Sequence, residues 1–132
     1  MKYDKTETLL ALYRLGRRIK FAAKAGSTDS MLTAAILISL DEQPVTLSEL
    51  GEDLAMKPAA MSEQIGKLEA DGLLTKKTGS DRRSRFLHLT AAGRRAAREL
   101  RDALEEHGAA VFSAIPASEL AAVRKTLARL VV

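Results

Sequence analysis

Five cationic side chains, Lys76, Lys77, Arg82, Arg83 and Arg85, crowd a stretch whose only acid is Asp81. The cluster flanks Gly79-Ser80-Asp81, a tight turn, where it supports no helix. Cations displayed on a turn can neutralise a polyanion. Just upstream, Lys57, Ala59, Ala60, Ser62, Glu63, Gln64 and Lys67 fall on or beside one predicted helix. Ser62 and Gln64 can donate and accept at base edges, Ala59 and Ala60 can touch thymine methyls, and Lys57 and Lys67 suit phosphates. Glu63 stands in the middle of that exposed face; its carboxylate is repelled by phosphates but can accept from a cytosine amine.

Other chemistries find little support. The chain of 132 residues has no cysteine, which excludes disulfides, thiolate metal sites and thiol redox sensing. His88 and His107 stand alone, without a second ligand at metal-binding spacing, so no metal or cofactor is expected. Met31, Met56 and Met61 read as core filler. No phosphate-cradling glycine loop or nucleophile elbow occurs, so the chain is expected not to be an enzyme. The longest apolar run, Met31 to Leu40, is half the length of a membrane span, and the charged N-terminus does not resemble a secretory signal. A cytoplasmic location is expected. The residues are 46% hydrophobic and 29% charged, the balance of a folded domain, with 21 basic residues against 17 acidic ones.

The elements that must position these side chains are marked by their ends. Leu9, Leu12, Tyr13, Gly16, Ile19 and Ala23 recur at helical spacing and predict a helix from about Tyr3 to Lys24. Gly26-Ser27-Thr28-Asp29 breaks it and offers caps for a second helix running to Leu40, with Asp41 to Pro44 as a loop. In Val45-Thr46-Leu47-Ser48-Glu49-Leu50, Thr46 and Glu49 have the spacing of a capping box, and Val45 and Leu50 that of a hydrophobic staple. The third helix then runs from Leu47 to about Ala55. Pro58 opens the fourth, whose Met61, Ile65 and Leu68 form one apolar stripe, and Gly72 stops it. Strands are expected at Leu73–Lys77 and Arg85–Leu89. Thr90 caps a helix from Ala91 to about Phe112, and Pro116 starts the last one. Arg14, Arg17, Arg18, Lys20 and Lys24, like Arg94, Arg95, Arg98 and Arg101, read as solvated helix faces.

Two helices joined by a short turn and followed by a basic hairpin describe a winged helix-turn-helix, in a mainly α chain with a small β-hairpin. From about Ile36 to Gly93 the residues resemble the MarR family of bacterial transcription regulators. The resemblance lies in Leu47-Ser48-Glu49-Leu50-Gly51-Glu52-Asp53-Leu54, in Met61-Ser62, in Lys67-Leu68-Glu69-Ala70-Asp71-Gly72-Leu73-Leu74, in Asp81-Arg82-Arg83 and in Leu89-Thr90-Ala91-Ala92-Gly93. The chain departs from the family pattern at Glu63, at Gly51, where alanine is common, and at Ala55, where the turn often has glycine.

The resemblance implies one domain over residues 1–132. Its winged helix-turn-helix would occupy about 29–90, and dimerisation helices about 1–26 and 91–132. It implies a homodimer on a palindromic operator in double-stranded DNA, mostly as a repressor released by a small lipophilic or phenolic effector. Asp81 would fix Arg83, and Arg83 would meet the minor groove. Tyr13, Arg17, Leu32 and Ile36 are the nearest candidates for an effector pocket, and would serve equally as dimer core and rim. The alternative is a winged-helix module for protein–protein interaction that has no operator.

Overall fold

The computed structural model describes residues 2–22, 30–78 and 85–131. Among them are six helices and three strands. In chain order they are α1 (Asp4–Arg18), α2 (Met31–Glu42), β1 (Val45–Thr46), α3 (Leu47–Asp53), α4 (Pro58–Ala70), β2 (Leu74–Thr78), β3 (Arg85–Leu89), α5 (Ala91–Val111) and α6 (Ala117–Leu127).

The helix ends follow local chemistry. Ser30, one residue beyond the expected 26–29 caps (which lie outside the described residues), caps α2 by accepting from the Thr33 N–H. Thr46 accepts from the Glu49 N–H at 3.1 Å, and the Glu49 carboxylate accepts from the Thr46 N–H at 3.4 Å, so the capping box forms as its spacing predicts. Both helices of the helix-turn-helix stop in the same way. At the end of α4, Gly72 takes a left-handed φ of 76°, Leu73 N–H donates to Leu68 and Gly72 N–H to Glu69. At the end of α3, Ala55 takes φ 53°, Met56 N–H donates to Gly51 and Ala55 N–H to Glu52. These are two copies of one C-terminal motif, the second built without glycine.

The strands form one antiparallel sheet in the order β1-β3-β2. The expected hairpin is present, with β2 shifted one residue to Leu74–Thr78. A third strand joins it, because Val45 pairs with Leu87 and Thr46 with Phe86. Two further boundaries differ from expectation. The second helix continues through Asp41 and Glu42, reducing the loop before β1 to Gln43 and Pro44. The first stops at Arg18, where the backbone of Ile19 turns extended.

The core lies where α2, α4, α5 and the sheet meet. Ile36, Leu37, Leu50, Met61, Ile65, Leu74 and Leu87 are its fully buried large side chains. The stripe Met61, Ile65, Leu68 turns inward as the helical period requires. In contrast, no residue of α1 or α6 is buried.

A compact set of hydrogen bonds joins the end of α4 to the start of α5. Thr90 caps α5 by accepting from the Gly93 N–H at 3.0 Å, while its hydroxyl donates to the Gly72 carbonyl at 2.6 Å and its N–H to the Leu73 carbonyl. The strands of the wing therefore leave from and return to a fixed base.

Candidate nucleic-acid interface

With one face of α4 committed to the core, the opposite face is open. Lys57, Ala59, Ala60, Ser62, Glu63 and Lys67 are all exposed, and Gln64 is half-buried at the margin. Glu63 is not an isolated acid: Lys67 Nζ lies 3.6 Å from its Oε1, one helical turn on. Both partners are well exposed, so the pair contributes little to stability. It does neutralise the centre of the face locally. Pro58 occupies the first turn of α4, and no side chain caps that end. The N-terminal amides and Lys57 thus share one positive end, suited to phosphate.

The wing supplies the second part of the site. Lys76, Lys77 and Arg85 are exposed on β2 and β3. The register sorts them: Lys76 is opposite Leu87, Thr78 opposite Arg85, and Lys77 opposite Phe86. Side chains alternate along a strand, so Lys76 and Arg85 share the face of the buried Leu74 and Leu87, and Lys77 points to the other. The described members of the cluster are therefore divided between two faces, Lys76 and Arg85 on one and Lys77 on the other. Asp81, Arg82 and Arg83 lie outside the described residues.

The four effector candidates are dispersed. Tyr13 and Arg17 are exposed on α1, Leu32 is half-buried, and Ile36 is fully buried in the core. A cleft of about 380 Å³ does lie between α1, the start of α2 and the second half of α5. Its lining comes from neighbours of the expected set: Leu15, Arg18 and Ile19 on or just after α1, Met31 on α2, and Leu104, His107 and Phe112 on or just after α5. Spacing along the sequence does not separate the two sets, because the rotation of α1 about its own axis decides which of its side chains turn towards α5. The Phe21 ring meets the His107 ring edge-on, 5.7 Å between centroids, at the same place.

Sequence and structure comparisons agree with this geometry. Residues 30–93 match the family model described as a winged helix DNA-binding domain. No curated protein matches the chain by sequence. Among solved structures, the transcriptional regulator BldR from Sulfolobus solfataricus is 25% identical, with a TM-score of 0.73 over 98% of this chain and 96% of that one. A probable transcriptional regulator from Pseudomonas aeruginosa is 28% identical, with a TM-score of 0.65 over 80% and 81%. A MarR-family regulator from Rhodococcus sp. RHA1 is 20% identical and shares the fold at a TM-score of 0.83 over 94% and 91%. Residues 30–93 are thus similar to a winged helix DNA-binding domain, and the chain shares the fold of the transcriptional regulators it resembles, a MarR-family regulator among them.

Proposed function

We propose that the protein is a sequence-specific regulator that binds a palindromic operator as a homodimer and acts as a ligand-responsive repressor in the cytoplasm. The observation that carries the reading is the outward face of α4. Ser62 and the Glu63–Lys67 pair are exposed on a helix whose other face is locked into the core, and Lys76 and Arg85 are exposed on the wing. A helix so held fits the major groove, and the wing would reach the adjoining backbone with Lys76, Arg82, Arg83 and Arg85, Asp81 fixing Arg83, while Lys77 lies on the reverse face of the sheet.

Dimerisation is supported by the helices at either end. Leu9, Tyr13, Leu15 and Ile19 in and just after α1, Phe112 and Ile115 after α5, and Val123 and Leu127 on α6 are all exposed. Apolar side chains arrayed on amphipathic helices need a partner, and a second copy offers the same helices in return. The dimerisation segments are about 1–26 and 91–132, flanking the winged helix-turn-helix at about 29–90 in a single domain. The cleft between α1 and α5 suits a small lipophilic or phenolic effector, with an apolar body against Leu15, Ile19 and Phe112 and an acidic group towards Arg18 and Lys20.

The test is a fluorescence-anisotropy titration against duplex DNA from upstream of the protein's own gene, beside a shuffled duplex of equal composition. Specific recognition predicts a preference of about a thousandfold or more. Absence of binding to either duplex at low salt would overturn the reading.

A further inference from the structure

The outward face of α4 carries one long acceptor at its centre. With Met61, Ile65 and Leu68 buried, the helical period sets Ala59, Glu63, Gly66 and Ala70 along the ridge farthest from the core. Three of those four positions are alanine or glycine. Gly66 is not required by the fold: a β-carbon there would meet nothing within 4 Å, and glycine inside a helix is less stable than alanine. A ridge this low lets the helix backbone come close to an outside surface, and Glu63 is the side chain that projects from its middle. Lys67, 3.6 Å away, holds the carboxylate from one turn further on.

We propose that Glu63, positioned by Lys67, selects a cytosine in the duplex sequence that α4 contacts. The inference rests on the DNA-reading function proposed above. A carboxylate is acceptor-only, and the exocyclic N4 amine of cytosine is the major-groove donor it fits. Guanine and thymine present acceptors that repel it. Adenine has an amine, but its N7 lone pair lies beside it and meets the second carboxylate oxygen unfavourably. Glu63 is also repelled by the phosphates on every sequence, and Lys67 offsets that repulsion locally. The Glu63 carboxylate thus lowers affinity for DNA in general, to the extent Lys67 does not offset it, and restores it where a cytosine amine is in reach, which is discrimination by exclusion.

Selection of duplexes with a randomised core on wild-type protein and on Glu63→Gln tests this, followed by anisotropy titration of the enriched duplex with each base at the discriminated position. Wild type is expected to enrich cytosine there and to bind the adenine-substituted duplex about tenfold more weakly. Glu63→Gln is expected to lose that preference and favour adenine, whose N6 and N7 suit an amide, while binding unrelated duplexes more tightly at low salt. Lys67→Ala is expected to weaken the cytosine preference as well as affinity. Both side chains are mostly exposed (63% for Lys67, 70% for Glu63), so thermal unfolding of the variants should overlay that of wild type. The same base preference in wild type and Glu63→Gln overturns the role of Glu63, and an undiminished preference in Lys67→Ala overturns positioning by Lys67. If wild type enriches no sequence at all, sequence-specific reading fails and this inference with it.

Discussion

Gly93 packs its backbone directly against the carbonyl of Leu73, so closely that a β-carbon at position 93 would collide with that oxygen and press on the Leu89 side chain at 3.2 Å. The neighbour is backbone, held by the hydrogen bond from Thr90 N–H, and cannot swing aside. Gly93→Ala is therefore expected to destabilise the domain by about 1–3 kcal/mol despite the better helix propensity of alanine. Urea unfolding followed by circular dichroism would show this as a lower midpoint at unchanged slope. A midpoint equal to wild type would show that the junction yields.

The turn between α3 and α4 predicts the opposite sign. Ala55 sits at φ 53°, where an L-residue with a β-carbon is disfavoured and glycine is not. Ala55→Gly removes about 1–2 kcal/mol of strain and returns about half of that through the greater freedom of glycine in the unfolded chain. A net stabilisation of about 0.5–1 kcal/mol is expected from that difference, read as a higher melting temperature. A lower one would mean that the unfolded-state contribution dominates.

The register of the wing separates its lysines. Lys76 and Arg85 lie on the sheet face that carries the buried Leu74 and Leu87, and Lys77 on the reverse. Replacing Lys76 and Arg85 together with alanine should lower the slope of log K against log salt by about 2 per protomer, one for each phosphate that is no longer neutralised. Lys77→Ala should leave the slope nearly unchanged. Equal effects would place both faces against DNA.

The outer helices make a prediction about association. Val123 and Leu127, one turn apart on α6, are each 47% exposed. If the proposed homodimer forms through these helices, Val123→Asp with Leu127→Asp should convert it to monomer at micromolar concentration, as seen by sedimentation velocity, and should leave the core helices folded. Dimers that survive the double change would move the interface away from α6.

The legible parts of the fold were those encoded within a few residues. The Thr46–Glu49 box, Pro58 at the start of α4, Gly72 at its end and Thr90 before α5 each set an element end by local chemistry, and each is seen where its spacing puts it. The outward face of α4 was legible because its inward stripe is so regular. What was not legible depends on distant partners. A two-residue strand such as β1 has no alternation to detect and exists only because Leu87 and Phe86 come alongside. The lining of the α1–α5 cleft follows from how α1 is rotated. Gly93 stood in the sequence as one residue of a familiar stretch, and only the approach of Leu73 explains why it is glycine.

Thr46 holds two positions at once: it pairs with Phe86 in the sheet and it caps α3. Through that residue the wing and the first helix of the helix-turn-helix share a rigid joint, as Thr90 ties the far end of α4 to the root of the wing. Both ends of the helix-turn-helix are thus tied to the sheet by hydrogen bonds, which favours movement of the domain as one unit. In the homodimer proposed above, an effector bound at the outer helices would change the distance and angle between two such units, and the spacing of the half-sites would be the quantity under control.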